Sequence, residues 1–320
     1  MKAIVLTKPG GVENLHIKNI PVPTPADNEV LVKVKAISIN PVDAFVRGNG
    51  DFLKHVLKLK DGETPVILGW DISGEVTETG KSVTRFKKGD AVFGMVNFEG
   101  HGKAYAEYVA APEEHLAVKP ASATHEEAAA ATLAAITAWQ GLVTYGKIKK
   151  GDKVLIHSAA GGVGHYAVQI AKHFGAYVVG TSSAGNKDFV LGLGTDEHID
   201  YAGQRFEELV SDADLVLDSV GIPGHLDRSL AALKKGGRLI SLQTRFTDAA
   251  LLEKIKDKEV FAHRVGVTSK GGDIKAVAGL IEQGALHSYV SKVYGFNEIP
   301  AAHEQVITGH SKGKIVIVLS

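Results

Sequence analysis

Ser158-Ala159-Ala160-Gly161-Gly162-Val163-Gly164 stands between an apolar strand-like run, Val154 to His157, and a stretch of helical periodicity carrying Tyr166, Val168, Ile170, Ala171 and Phe174. A strand that turns through glycines into a helix suits a pyrophosphate, because backbone N–H groups can approach its oxygens and the helix start adds a favourable dipole. Ala160, Gly161, Gly162 and Val163 are therefore the first candidate cofactor contacts. A strict dinucleotide fingerprint has glycine where Ala159 stands, so the assignment leans on context: strand before, helix after, and an alternating series beyond. About 20 residues past the glycines an NAD-specific site carries an Asp or Glu that accepts from the ribose 2′-hydroxyl. Here Thr181, Ser182 and Ser183 close the next strand and Lys187 follows, with no carboxylate to repel a 2′-phosphate. Hydroxyl donors and a lysine suit NADP(H) better than NAD(H), although such residues also make ordinary polar loops. Tyr201, ending the strand after that, is placed to pack over the phosphate or the adenine.

The remaining reactive side chains narrow the chemistry. There is no cysteine, which removes disulfides, thiolate nucleophiles, iron–sulfur ligation and cysteine-based zinc sites. The 14 histidines are scattered, and no pair stands with a carboxylate at a recognisable ligand spacing, so no metal is expected. Lys147, Lys149, Lys150 and Lys153 bracket the turn before the glycines and read as a solvated face. Lysine plus arginine balances aspartate plus glutamate, 36 against 36, leaving no overall field for nucleic acid.

The elements that must position these residues are legible in outline. Before residue 120 short β-rich segments broken by Gly and Pro run Lys2 to Thr7, Leu15 to Ile20, Glu29 to Ile39, Ile72 to Thr79, Ala91 to Met95 and Tyr105 to Ala111, the pattern of a compact antiparallel barrel. Thr124-His125-Glu126-Glu127 has capping-box form and opens an Ala-rich helical run to Leu142. From Asp152, strand-like runs alternate with helical ones: Val154 to His157, Tyr177 to Thr181, His198 to Tyr201, Leu215 to Val220, Arg238 to Gln243 and Val260 to Val267. Such alternation specifies a parallel sheet with crossover helices, and six strands complete a dinucleotide-binding fold. A helix from Ile274 to Gln283 and strands Tyr289 to Tyr294 and Lys314 to Leu319 read as a return to the first domain. The expected division is 1–123, 124–268 and 269–320. No apolar run approaches the roughly 18 residues that cross a bilayer, and Met1 to Thr7 alternates like a strand rather than a signal peptide, so a cytoplasmic address with no membrane partner is expected.

With these pieces in view, the chain resembles the zinc-free quinone oxidoreductase and alkenal reductase branch of the medium-chain dehydrogenase/reductase superfamily over essentially its whole length. Besides the glycine turn, the matching pieces are Ser38-Ile39-Asn40-Pro41-Val42-Asp43, Gly69 to Gly74, Lys88 to Val92, Ala104 to Tyr108, Leu217 to Gly221, Lys235 to Arg238 and Gly309 to Val316. The resemblance implies an α/β architecture: a GroES-like barrel-type domain, a Rossmann doubly wound six-stranded parallel sheet, and an active cleft between them. It implies that Asn40, Asp43 and Trp70 border the nicotinamide and substrate, that Thr137 approaches the nicotinamide ribose, and that Val220, Gly221, Ser241 and Val267 line the cofactor. Similar proteins are commonly dimers through edge strands of the nucleotide domain, which implies a homodimer with Val260 to Val267 near the two-fold axis.

Zinc-dependent relatives carry a cysteine about where Asn40 stands and a histidine about where Trp70 stands, and this chain has neither. Oxidising a simple alcohol requires a stabilised alkoxide, which zinc supplies as a Lewis acid. A conjugated acceptor is easier, because hydride added at its far carbon gives a delocalised enolate or quinol anion that weak donors stabilise. The expected activity is thus NADPH-dependent, metal-independent hydride transfer to a quinone or enone. Asn40 either polarises the acceptor oxygen or braces the turn into Pro41; Asp43 reads more naturally as a helix cap than as an acid, and Trp70 as a pocket wall or a core aromatic. A reductase of enoyl thioesters, or a redox sensor that binds NADP(H) without turnover, are the alternatives.

Overall fold

Strands carrying Val, Ile and Thr build the sheets of the first unit. The computed structural model describes residues 1–60, 63, 65–269 and 271–319. In it β1 (Lys2–Leu6), β2 (Leu15–Asn19), β3 (Glu29–Ile39), β4 (Val66–Ile67), β5 (Asp71–Thr79), β6 (Ala91–Met95), β7 (Tyr108–Pro112) and β8 (Leu116–Val118) follow one another. β3 organises them: it pairs antiparallel with β5 and β7, and its Val30, Val32, Val34, Ala36, Ile37 and Ile39 are all buried. Two helices that the periodicity does not announce, Pro41–Gly48 and Gly50–Leu57, follow β3.

The second unit is the parallel sheet expected from alternation. β9 (Lys153–Ile156), β10 (Tyr177–Ser182), β11 (Glu197–Asp200), β12 (Ala213–Asp218), β13 (Leu233–Ser241) and β14 (Phe261–Arg264) stand in the order β11-β10-β9-β12-β13-β14, every neighbour parallel. Helices Gly164–His173, Lys187–Gly192, Phe206–Leu209, His225–Ala232 and Ala249–Asp257 lie between successive strands in sequence, as parallel neighbours require. Leu155, Val179, Val216 and Leu239 from four strands pack with Leu226, Leu230 and Ile255 from two helices. The strand order reverses between β9 and β12, the place where sheets of this kind bind ligands beyond their carboxyl ends.

The chain then returns. β15 (Val290–Gly295) pairs with β16 (Lys314–Val318), and β16 pairs with β3, so the first sheet runs β15-β16-β3-β5-β6-β8. The two compact units are Met1–Ile136 with Thr268–Ser320, and Thr137–Val267. Their division comes later than the change of pattern at Thr124. Helix His125–Ala130 stays in the first unit because its Ala129 and Ala130 pack with Ala36 of β3 and Val316 of β16. Nor is the Ala-rich run one helix. It breaks after Ala130, where Thr132 Oγ1 donates to the Ala129 carbonyl over 2.7 Å and the Asp71 carboxylate accepts the Leu133 N–H over 3.1 Å. Helix Leu133–Trp139 then gives way to a π-type turn at Gln140–Tyr145. No described helix is long and apolar enough to cross a membrane.

Candidate functional site

In the second unit, β9 delivers the chain to His157 and the turn begins at Ser158, whose φ of 52° lies in the left-handed region. Gly164 is the glycine this geometry requires: a Cβ there would lie 2.1 Å from the Ser158 carbonyl oxygen and 2.8 Å from Ala159 Cα. The helix therefore starts directly against the turn. Its N-cap position, Val163, offers no side-chain acceptor, and the amides of Gly162 and Val163 have no acceptor among the described residues. Uncapped N–H groups at a helix start behind a glycine turn are the donor set a pyrophosphate takes, so the residues present fit a dinucleotide. Thr181, buried at the end of β10, braces this turn: its hydroxyl lies 3.1 Å from His157 Nδ1 and accepts the Ser158 N–H over 3.3 Å.

Beyond Thr181 the expected phosphate residues separate into different environments. Ser182 is buried, with Oγ 2.8 Å from His198 Nε2 and 3.1 Å from the Ser183 carbonyl. Ser183 Oγ accepts from Asn186 Nδ2 over 3.2 Å. Lys187 is exposed; its backbone N–H bonds the Ala184 carbonyl, and its ammonium has no ion-pair or hydrogen-bond partner among the described residues. Tyr201 is 61% exposed, and its N–H bonds the Ser182 carbonyl at 3.2 Å. Thr137, in helix Leu133–Trp139, is buried. Ser241 is buried at the end of β13, where its hydroxyl accepts the Thr244 N–H. The Val220 N–H is bonded to Asp218 Oδ1, and Gly221 lies where a Cβ would be 2.7 Å from Gln243 Oε1. Val267 follows β14 half-buried.

The structure also corrects the reading of the histidines as scattered. His157, Asp218 and His225, far apart in sequence, bring one ligand-type atom each within 4.8 Å of the others at the carboxyl ends of β9 and β12. The cluster is satisfied by its own bonds: His225 Nδ1 to Asp218 Oδ2 at 2.8 Å, Ser229 Oγ donating to the same oxygen at 2.7 Å, and His157 Nε2 to Ser229 Oγ at 3.2 Å. Burial pushes His157 down to about 3, so its ring is neutral. Burial pushes Asp218 up, yet the hydrogen bonds from His225 and Ser229 help to outweigh it and hold the carboxyl below its ordinary value. We read the cluster as a hydrogen-bonded brace beneath the switch point. Only the two strand ends in the sequence hint at it.

In the first unit Asn40, Asp43 and Trp70 are all closed from solvent. Asn40 caps helix Pro41–Gly48, but only half of a capping box forms: Asp43 Oδ2 accepts the Asn40 N–H over 2.6 Å. The Asn40 amide turns elsewhere, Nδ2 donating to Asp71 Oδ2 at 2.7 Å and Oδ1 accepting from Lys314 Nζ, which also reaches the Ile39 carbonyl. Burial, then the nearby Asp71 charge, pushes Asp43 up to about 7, and its Oδ1 lacks a hydrogen-bond partner among the described residues. Burial likewise raises Asp71 and lowers Lys314, each partly offset by the other's charge. Next to them Tyr105 Oη meets His303 Nε2 at 2.9 Å, and Arg47 Nε donates to His303 Nδ1 at 3.3 Å. Burial and Arg47 hold His303 at about 3.

Trp70 does not form a pocket wall itself: its indole N–H bonds the Gly100 carbonyl at 2.8 Å, and Phe98 packs edge-on against its ring with centroids 5.0 Å apart. Phe98 is the aromatic that faces open space, a pocket of about 570 Å³ shared with Lys58, Asn97, His101 and His115. None of these four was singled out from sequence, because they come from three separate segments, Asn97 and His101 sharing one loop, with no spacing signature.

Comparison with known proteins agrees with both units. Residues 26–121 match the alcohol dehydrogenase GroES-like domain, and residues 193–317 match the zinc-binding dehydrogenase family. A 2-methylene-furan-3-one reductase of Solanum lycopersicum is 34% identical over 99% of this chain and 79% of its own length. An NADPH-dependent alkenal/one oxidoreductase, chloroplastic, of Arabidopsis thaliana shows the same identity and the same coverage. Among solved structures, the quinone oxidoreductase from Coxiella burnetii superposes with a TM-score of 0.90 and 34% identity, covering 100% of this chain and 99% of that one.

Proposed function

The chain belongs to the medium-chain dehydrogenase/reductase superfamily, in its quinone oxidoreductase and alkenal reductase branch, and from that premise we propose an NADPH-dependent, metal-independent reductase of quinones or α,β-unsaturated carbonyls. The observation that carries this reading is the uncapped helix start behind the glycine turn, where the free amides of Gly162 and Val163 suit a pyrophosphate. When bound, the nicotinamide supplies a hydride. Preference for the phosphorylated cofactor is supported by the exposed, unpaired Lys187 and the absence of a carboxylate from Thr181 to Lys187.

For the acceptor, we assign the pocket beside Phe98, whose volume of about 570 Å³ is that of a small-molecule site and whose aromatic ring suits a planar conjugated system. Asn40 retains one amide N–H beyond the one given to Asp71, and Asp71 and Lys314 fix its orientation. Because Asn40 is closed from solvent and does not line that pocket, we assign the task of stabilising the oxyanion that forms on the acceptor to a backbone N–H, with the final proton taken from water. Thr137, Val220, Gly221, Ser241 and Val267 remain our candidates for further cofactor contacts. We also propose a homodimer formed through the unpaired outer edge of β14, where Phe261 is 43% exposed.

The test follows nicotinamide absorbance with chelator present, comparing NADPH with NADH against a quinone, a small enone and a saturated aldehyde. NADPH oxidation by quinone or enone, with the saturated aldehyde inert, is expected. Best turnover of the saturated aldehyde would overturn the conjugate-acceptor reading; binding without any turnover would favour the sensor.

A further inference from the structure

β10 and β11 run parallel with Gly180 opposite His198 and Ser182 opposite Asp200. His198 leans across to the end of β10, its Nε2 2.8 Å from Ser182 Oγ. The same oxygen lies 3.1 Å from the Ser183 carbonyl, which can only accept. Ser182 has one proton and gives it to that carbonyl, so its oxygen accepts from His198, and the neutral ring carries its hydrogen on Nε2. Two consequences follow for an anion at this strand end. The Ser182 hydroxyl is committed and offers it no proton. The neutral His198 ring presents a lone pair on Nδ1, whereas the protonated ring presents a second N–H and a positive charge.

We propose that His198 belongs to the 2′-phosphate subsite and favours the phosphorylated ribose when its imidazole is protonated, so that discrimination between NADP(H) and NAD(H) strengthens as pH falls. The inference rests on the NADP(H) reading above and adds a residue and a pH dependence to it. Three groups face the ring: Ser182 from β10, Asp200 from its own strand and Lys187 from helix Lys187–Gly192. Partial burial lowers His198 from its ordinary value, Asp200 raises it and Lys187 lowers it again. A phosphate beside the ring would add a second anion on the raising side, so its binding draws in a proton.

Calorimetric titrations of wild type, His198→Val and His198→Gln with NADP⁺ and with NAD⁺ at pH 6 and pH 8, each in two buffers of different ionisation enthalpy, test this. Glutamine keeps a donor for Ser182 but cannot titrate. In wild type the ratio of the NAD⁺ to the NADP⁺ dissociation constant should grow at pH 6 by about five- to tenfold more than in either variant, the worth of one charge-assisted contact near the surface. Proton uptake with NADP⁺ should drop in both variants, while NAD⁺, which lacks the 2′-phosphate, should draw in no such proton in any of the three proteins. The phosphate's own titration is common to all three proteins and cancels between them. If the variants keep the wild-type pH dependence and proton uptake, the role of His198 is refuted while the NADP(H) reading stands. If wild type prefers neither cofactor at either pH, the NADP(H) reading itself is refuted and this inference with it.

Discussion

Asp43 shows how one buried side chain ties the polar centre of the first unit to pH. Its carboxyl stands at about 7 in the folded chain against an ordinary 3.8, because it is desolvated and faces the Asp71 charge. Between those values the folded protein holds a proton that the unfolded chain has released. Stability contributed by this group therefore falls as pH rises from about 4 to 7, and is level on either side. Asp43→Asn keeps an oxygen for the Asn40 N–H and removes the titration. Its melting temperature should draw ahead of wild type from pH 5 to pH 8, by on the order of 2–4 kcal/mol in stability at the upper end. Parallel curves for the two proteins would show that Asp43 is ionised throughout. Lys314 limits the cost of these buried acids, and neither it nor the His157, Asp218 and His225 cluster was legible in the sequence. Each depends on contacts between residues whose separation leaves no periodic or motif signal. The strand, glycine turn and helix from Lys153 to His173, by contrast, were legible because they follow one another directly in the sequence.

Among the elements, the same division holds. All six strands of the parallel sheet were readable, since strand-like runs alternate regularly with helical ones, and so was β3, whose boundaries in the sequence and the structure coincide. Helices Pro41–Gly48 and Ile299–Ile307 went unannounced: each runs only eight or nine residues and is packed by tertiary neighbours rather than marked by long periodicity. The break at Thr132 escaped because an alanine run has helical propensity everywhere, and what interrupts it is Asp71, which is remote in sequence. The start of helix Gly164–His173 is the element to which we assign the cofactor's pyrophosphate. Gly164→Ala should push the Ser158 carbonyl aside, costing about 1–3 kcal/mol in denaturant unfolding and weakening NADPH binding in a fluorescence titration. Gly185→Ala, where nothing lies within 4 Å of the added Cβ, should leave both values near wild type. Equal effects of the two substitutions would mean that the turn tolerates movement.

For the whole molecule, β14 leaves one edge of the six-stranded sheet open, with Phe261 exposed there beneath the Arg238 guanidinium, 4.8 Å from its ring centre. Light scattering should find twice the chain mass of 33.9 kDa. Phe261→Lys, which sets like charges on both copies, should shift it toward the single-chain mass. A wild-type monomer would leave the edge without the partner we assign it. The route of the chain has a consequence of another kind. The sheet of Thr137–Val267 is made from one uninterrupted stretch, whereas the first sheet has β16 beside β3, some 277 residues apart at Ser38 and Ile315. During synthesis on the ribosome the nucleotide-binding sheet can close as soon as it emerges, while β3 waits with an open edge and Asn40 and Asp71 wait without their lysine. A chain whose translation stalls before β16 therefore holds a finished parallel sheet beside an unfinished first unit, with β3 left as the kind of open edge that invites unwanted pairing.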